Sequence, residues 1–272
     1  MKQISILGCG WLGLPLAITL LKNGLKVKGS TTSESKIALL EKNGIVPFLI
    51  SLSEKQILGD TAEFLENATV LIINIPPKLR GNLDENFVTK IQNLIPFIEK
   101  SSVQNVLFIS STAVYADDNS IIKEETIPNP TTESGNQLLE VEQLLLNNKN
   151  FQTAILRFGG LIGEERHPIH FLSGRKAIEN PNAPINLIHQ KDCIGIIEKI
   201  LEQAQDNKHV WNEIYNAVAP FHPSRKAYYT QKAMDLNLSI PEFVEDKESV
   251  GKIILSDKVE KSLGYKFINN LS

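Results

Sequence analysis

The stretch Gly8-Cys9-Gly10-Trp11-Leu12-Gly13 decides the fold class of this chain. It lies between two apolar runs, residues 2–7 and residues 12–21, which predict a buried strand and a helix. In such a strand–turn–helix unit the first glycine allows the sharp turn, the second lets a phosphate approach the backbone, and the third lets the helix pack on the strand. The unit therefore predicts a pyrophosphate site at the helix N-terminus, although any α/β protein can contain a tight glycine turn.

Composition and charge limit the classes of function. The net charge is −3, and the basic residues form no run, which excludes an electrostatic site for nucleic acid or an anionic membrane. Cys9 and Cys193 are too few for a disulfide framework, and the five histidines lack metal-ligand spacing. The uncharged stretch 4–21 resembles a membrane span, but its glycines and Pro15 favour a strand, a turn and a helix. We expect a cytoplasmic protein without a metal site.

Strand and helix patterns alternate through the first half, which predicts an α/β fold with a Rossmann-type doubly wound parallel sheet. Further strands are predicted at 25–29, 46–50, 69–75, 105–109 and 153–156, and helices at 34–42 and 137–146. Helical spacing of Leu83, Phe87, Ile91, Leu94 and Ile98 predicts another helix. Later, we predict strands at 185–188, 212–216 and 252–255, and helices at 193–203, at 224–235 and from 257 onwards.

Two lobes are predicted from this pattern. Residues 1–158, completed by 185–216, form the dinucleotide-binding domain. Residues 159–184 and 217–272 form a smaller, interleaved substrate lobe, because glycines, prolines and histidines interrupt the alternation beyond residue 158.

The end of the predicted second strand bears on which dinucleotide is bound. A site for NAD usually has an acid here, whereas this chain has Ser30, Thr31 and Thr32, with Lys36 nearby. Hydroxyl groups and a lysine favour the 2′-phosphate of NADP, with NAD as the alternative, although the same residues are also good helix caps. The predicted cofactor-binding residues are Gly8, Gly10, Trp11, Leu12, Gly13, Ser30, Thr31, Thr32, Lys36, Ile75, Pro76 and Ser110.

Four stretches resemble the extended short-chain dehydrogenase/reductases, the sugar-nucleotide epimerase/dehydratase group. They are Ile109-Ser110-Ser111-Thr112-Ala113-Val114-Tyr115, Val141-Glu142-Gln143-Leu144-Leu145, Leu156-Arg157-Phe158-Gly159-Gly160 and Ile188-His189-Gln190-Lys191-Asp192. The resemblance covers about the first 200 residues. It implies that Ser111 orients the substrate carbonyl or hydroxyl. It also implies a departure, because the positions of the family's Tyr-x-x-x-Lys pair fall on Ser134 and Leu138.

Other residues are therefore candidates for the proton transfer. Tyr115 follows the Ser111 loop, where it could face the nicotinamide, and Glu133 adjoins the vacant tyrosine position; their alternative roles are a structural or substrate-lining tyrosine and a first-turn carboxylate. In the predicted lobe, Arg166, His167 and His170 form a polar cluster that could bind a substrate phosphate or carboxylate, or could be solvated loop residues.

Two functions remain open. The first is an NAD(P)-dependent oxidoreductase or isomerase that acts on a sugar nucleotide or a small carbonyl or hydroxyl compound with a non-standard acid or base. The second is a catalytically degenerate NAD(P)-binding sensor or scaffold protein. The resemblance also implies a possible homodimer; no nucleic-acid or membrane partner is expected.

Overall fold

A computed structural model describes residues 3–77, 86–206, 208–245, 248–269 and 271. Its central feature is a seven-stranded, fully parallel sheet. In chain order its strands are β1 Gln3–Leu7, β2 Lys26–Thr31, β3 Val46–Leu49, β4 Ala68–Ile73, β5 Asn105–Ser111, β6 Gln152–Phe158 and β7 Ile214–Ala217. The spatial order is β3-β2-β1-β4-β5-β6-β7, so the chain reverses direction across the sheet between β1 and β4. The predicted Rossmann-type α/β fold is confirmed.

Helices cover both faces of this sheet. The helices of the described residues are α1 Gly13–Lys22, α2 Ile37–Lys42, α3 Thr61–Leu65, α4 Phe87–Glu99, α5 Glu133–Leu146, α6 Ile169–Leu172, α7 Gln190–Asp206, α8 Arg225–Asp235 and α9 Asp257–Leu263, of which α6 and α8 pack in a separate cluster away from the sheet faces. One buried cluster joins α1 and α7 to one face, and another joins α3, α4 and α5 to the opposite face. A strand buried on both faces is expected to be a nearly continuous apolar run, as β4 is from Val70 to Ile73. Within the described residues, no helix is long and apolar enough to cross a membrane.

Most predicted elements lie near their observed positions, with informative exceptions. The helix predicted at 137–146 begins at Glu133, because the Thr132 hydroxyl caps it by accepting a hydrogen bond from Gly135 N–H at 3.1 Å. The strand predicted at 185–188 is Leu187–His189, which pairs with Gly160–Ile162 and not with the main sheet. Leu83, counted in the predicted α4 pattern, lies outside the described residues.

Two further short pairings lie outside the main sheet, one between distant segments and one within a local hairpin. Ile253–Ile254 pairs in parallel with Ile121–Ile122, so the strand predicted at 252–255 exists only as a two-residue strand. Ser51–Leu52 pairs with Ile57–Leu58 in an antiparallel hairpin after β3. Single helical turns of the 3₁₀ type occur at Glu34–Lys36, Thr112–Val114 and Lys208–Val210.

A third buried cluster lies beyond the carboxyl ends of the strands. Its buried members are Ile162, Ile169, Ile185, Leu187, Ala219, Tyr228, Tyr229, Ala233 and Leu271. These residues come from separate parts of the chain, before and after β7. Their packing places the loop after β6 and the helix α8 beside the carboxyl edge of the sheet, where ligands bind in open α/β folds.

Candidate functional site

The glycine turn between β1 and α1 tolerates no side chain at two of its positions. Gly8 has a φ of +104°, and a Cβ there would lie 2.5 Å from the Asn74 carbonyl oxygen. A Cβ at Gly13 would lie 2.2 Å from the Gly8 carbonyl oxygen. The Asn74 amide donates a hydrogen bond to that same oxygen at 2.9 Å and so holds the turn against the end of β4. Sequence reasoning missed Asn74, whose only signal is that it follows an apolar strand.

Gly10 differs from its two neighbours in the motif. It is exposed, and a Cβ built on it would meet no atom within 4 Å. No side chain caps the amino end of α1, and its first turn contains no acidic residue. The backbone surface at Gly10 is open, the amides at the start of α1 have no side-chain cap, and no carboxylate in the first turn would repel an anion. These features fit the binding of a diphosphate.

The predicted ribose-binding residues differ in what their side chains contact. The Ser30 hydroxyl is buried and accepts a hydrogen bond from Gly8 N–H at 2.9 Å, so it supports the glycine turn. The Thr31 hydroxyl accepts from Ser33 N–H at 3.1 Å. Thr32 and Lys36 are exposed at the end of β2. Of these four predicted residues, Thr32 and Lys36 are therefore available to a ligand. The hydroxyls of Ser30 and Thr31 instead stabilise the local backbone.

The ends of β4 and β5 complete the carboxyl edge. Ile75 is half-buried against Gly8, and Pro76 is exposed. Ser110 does not face this edge, because its hydroxyl is buried and donates to Glu142 Oε1 at 2.5 Å. Ser111 is half-buried, and its oxygen accepts a hydrogen bond from Ala113 N–H at 3.2 Å, which leaves its proton free to donate.

A buried polar network runs beneath the Ser111 loop. The Arg157 guanidinium binds the Glu142 carboxylate through Nε, at 3.0 and 3.1 Å, and through Nη2. Its Nη1 donates to the Tyr115 hydroxyl at 2.5 Å, and that hydroxyl donates to Asn216 Oδ1 at 3.2 Å. All of these side chains are almost fully buried, and the Asn216 side-chain nitrogen has no hydrogen-bond partner among the described residues.

This network disfavours Tyr115 as the candidate for proton transfer. The tyrosine is 1% exposed, and its hydroxyl is already bonded to an arginine and an asparagine. Burial raises the pKa of the phenol, despite the opposing effects of the Arg157 charge and the hydrogen bond to Asn216. A phenol that is shielded from the cleft and harder to ionise is a poor acid or base. The structure gives Tyr115 a structural position.

The amino end of α5 carries the residues at the expected proton-donor positions. Glu133 is exposed, and its carboxylate accepts a hydrogen bond from the Gln137 amide at 2.7 Å. Ser134 is half-buried. Leu138 is 4% exposed and packs in the apolar core between the sheet and α4. Of these side chains, only those of Glu133 and Ser134 reach solvent at the start of the helix.

The predicted substrate cluster in the lobe is divided. The His167 ring is half-buried in the lobe, where Nδ1 accepts from Ile169 N–H at 3.1 Å and Nε2 lies 2.9 Å from the Tyr228 hydroxyl. Burial, with smaller contributions from the Lys232 and His170 charges, lowers the pKa of His167 to about 4. His170 is exposed. Arg166 is exposed and lies over the Trp11 ring, so the structure brings it to the glycine turn instead of joining it to His167.

In the described parts of the chain, no group of three or more His, Cys, Asp or Glu side chains is arranged to hold a metal ion. Cys9 is buried in the glycine turn, and burial raises the pKa of its thiol to about 12. Cys9 therefore acts as a small packing residue, as its place in the motif predicts.

Comparison with known proteins places the chain in a family. No family model matches it. Protein YeeZ of Escherichia coli strain K12 is 36% identical over 269 residues, which cover 98% of this chain and 96% of YeeZ. The chain belongs to the family of YeeZ.

Solved structures with the same fold include enzymes that act on sugar nucleotides. UDP-glucuronic acid 4-epimerase from Bacillus cereus, solved with NAD, superposes with a TM-score of 0.81 at 19% identity, covering 99% of this chain and 93% of the epimerase. A Methylobacillus flagellatus protein provisionally described as an NAD-dependent epimerase/dehydratase gives 0.80 at 23% identity, covering 98% and 93%. At these identities the likeness shows a common fold, which is that of the epimerases and dehydratases.

Proposed function

We propose that the chain binds a nicotinamide dinucleotide and acts as an oxidoreductase or isomerase on a sugar nucleotide or a small carbonyl or hydroxyl compound. The observation that carries the proposal is the open surface of Gly10, beside the closely packed Gly8 and Gly13. A methyl group at Gly10 would fill the space that a diphosphate needs, whereas no atom of the described residues lies within 4 Å of that position. The fold shared with NAD-bound UDP-glucuronic acid 4-epimerase supports the same conclusion.

The bound dinucleotide would supply hydride transfer, and the chain would supply binding, orientation and a proton. Ser111 at the end of β5 has a hydroxyl proton free to orient a substrate oxygen. Glu133 is the exposed acid at the start of α5, and we propose it as the group that exchanges a proton with the substrate. In this proposal Glu133 takes the role in proton transfer for which Tyr115 was a candidate.

NADP remains the proposed dinucleotide, with NAD as the alternative. Thr32 and Lys36 are exposed at the end of β2, where they can bind a 2′-phosphate. The NAD in the similar epimerase structure favours the alternative. Titration of the protein with each dinucleotide decides between them, and Lys36→Gln should weaken NADP binding more than NAD binding.

A non-catalytic role has its own support. Leu138 packs in the core, and the Tyr115 hydroxyl is enclosed by hydrogen bonds, so neither offers proton chemistry to a ligand. A protein of this kind would bind the dinucleotide and report its presence to a partner. Binding without turnover is what distinguishes it from an enzyme.

Isothermal titration with NAD+, NADP+, NADH and NADPH tests the proposal first. Wild-type protein should bind at least one of them, and Gly10→Val, which fills the open surface, should not. Absorbance at the reduced-nicotinamide band during incubation with UDP-sugars and small hydroxyl compounds then tests oxidoreductase turnover, and proton NMR of the incubated UDP-sugars tests isomerisation, which causes no net change in the dinucleotide. Activity that Glu133→Gln abolishes, with unchanged dinucleotide affinity, supports the enzyme. Dinucleotide binding without any turnover supports the sensor. Failure to bind any of the four dinucleotides rejects both the enzyme and the sensor.

A further inference from the structure

A short turn in the loop after β6 reaches the glycine motif. Gly163 N–H donates to the Arg166 carbonyl at 2.8 Å, and Arg166 N–H donates to the Gly163 carbonyl at 3.1 Å. This pair of hydrogen bonds closes residues 163–166 into a tight turn, directly after the strand Gly160–Ile162. The backbone of Arg166 is therefore fixed opposite Gly163.

The Trp11 ring fills the space beside this turn. A Cβ on Gly163 would lie 2.8 Å from Trp11 Cζ2, so the indole packs directly against the glycine backbone. The guanidinium carbon of Arg166 lies 4.8 Å from the centre of the same ring. The Trp11 carbonyl also accepts a hydrogen bond from the Gln190 amide at 2.7 Å, which ties the glycine turn to the start of α7. Trp11 is thus held by two separate segments of the chain.

The charge of Arg166 is not neutralised within the described residues. No carboxylate there lies within 4.0 Å of its guanidinium. The neighbouring Glu164 instead pairs with Lys191 at 3.2 Å. A guanidinium stacked on an aromatic face keeps its N–H donors at the edge of its plane, where they can bind two phosphate oxygens. The guanidinium lies over the ring of Trp11, which directly follows the open Gly10 in the sequence.

We propose that Arg166, stacked on Trp11, binds the diphosphate of the dinucleotide together with the backbone amides at the start of α1. The inference rests on the proposed function and deepens it, because it moves Arg166 from the substrate to the cofactor. It also gives Gly163 and Trp11 specific roles: the first leaves room for the indole, and the second positions the guanidinium. The loop after β6 then becomes part of the dinucleotide site.

Affinity measurements on Arg166→Gln and a matched control, Arg175→Gln, test this assignment. Arg175 is also exposed and lies in the same loop region, so its removal changes the net charge equally. Arg166→Gln should raise the Kd for NAD+, NADP+ and ADP about tenfold or more, as loss of a charge-assisted, two-point contact predicts. Affinity for adenosine, which has no phosphate, should not change. Arg166→Lys should recover part of the loss, because it restores the charge without the planar fork.

Salt dependence and fluorescence give independent readouts. Dinucleotide affinity of the wild type should fall more steeply with ionic strength than that of Arg166→Gln, whereas Arg175→Gln should follow the wild type. Trp11 and Trp211 are the two tryptophans of the chain. In a Trp211→Phe background, NAD+ should therefore change the emission of Trp11, and Arg166→Gln should change the emission of the unliganded protein.

The outcomes separate the two proposals. Failure of the wild type to bind any dinucleotide would reject the proposed function and this inference with it. Equal Kd values for wild type and Arg166→Gln would reject only the role of Arg166. A loss that appears only when UDP-glucuronic acid is titrated into NAD+-saturated protein would assign the guanidinium to a substrate phosphate and overturn the inference.

Discussion

Glu142 of α5 and Arg157 of β6 form an ion pair inside the protein, with side-chain exposures of 1% and 2%. Three hydrogen bonds join the two groups, and Ser110 donates a further one to the carboxylate. The pair connects the helix that carries the candidate acid to the strand that leads into the Arg166 loop. A buried charge that loses its partner cannot be hydrated, so both groups depend on the contact.

Glu142→Gln should therefore lower the free energy of unfolding by about 3–5 kcal/mol, because it leaves the Arg157 charge buried and unpaired. Urea denaturation followed by circular dichroism measures the change. Glu140→Gln, an exposed position on the same helix, is the matched control and should change stability by less than about 0.5 kcal/mol. If Glu142→Gln changed the free energy of unfolding as little as Glu140→Gln, the predicted contribution of the ion pair to stability would be contradicted.

Gly10 and Gly13 should respond differently to the same substitution. Gly13→Ala forces a Cβ to within 2.2 Å of the Gly8 carbonyl oxygen, so the protein should lose about 1–3 kcal/mol of stability or more. Gly10→Ala places the methyl in open space and should leave stability nearly unchanged, while it weakens dinucleotide binding about tenfold or more. Thermal unfolding and titration calorimetry measure the two effects. A Gly10→Ala protein with wild-type affinity would show that phosphates do not approach this residue.

Tyr115→Phe should affect stability and not ligand binding. The change removes a hydroxyl that accepts from Arg157 and donates to Asn216, so these buried groups lose a partner at a cost of about 1–3 kcal/mol. Dinucleotide affinity should be unchanged. Tyr229→Phe, an equally conservative change at a buried tyrosine of the lobe, is the control. Loss of turnover at unchanged stability would instead make Tyr115 a catalytic residue.

His167 should make stability depend on pH below neutrality. Its pKa is lowered from 6.5 to about 4, mainly by burial, so between these values the unfolded chain binds more protons than the folded one. The contribution of neutral His167 is complete above pH 6.5 and decreases as the pH falls towards 4. His167→Asn should reduce this pH dependence in urea midpoints measured from pH 7 to pH 4, and the exposed His170→Asn should not. Parallel profiles for wild type and His167→Asn would contradict the lowered pKa.

The sequence predicts the Rossmann-type sheet well because its strands carry local signals. β4 is apolar from Val70 to Ile73 and β1 leads into a glycine turn, so both can be recognised without knowing their partners. The strand Ile253–Ile254 is different, because only its pairing with Ile121–Ile122 defines it. Pairing between segments so far apart leaves no periodic pattern to read.

In the candidate site, too, features with local sequence signals could be predicted, and features that depend on distant contacts could not. The glycine motif is local, and its backbone geometry agrees with the spacing in the sequence. The position of Tyr115 depends on Arg157 and Asn216, which approach it only when the sheet forms, so its burial could not be predicted. The approach of Arg166 to Trp11 likewise depends on how the loop after β6 folds back over the sheet.

Asp192 ties a late part of the chain to the Rossmann-type sheet. It is fully buried near the start of α7, and its carboxylate accepts hydrogen bonds from the Tyr265 hydroxyl, Ile268 N–H and both nitrogens of Asn269. Local opening of this segment would break four hydrogen bonds to the carboxylate, so opening should cost more than the fraying of an unanchored segment. The amide of Ile268 should accordingly exchange more slowly with solvent in the wild type than in Asp192→Ala, and proteases should cut this segment faster in that variant.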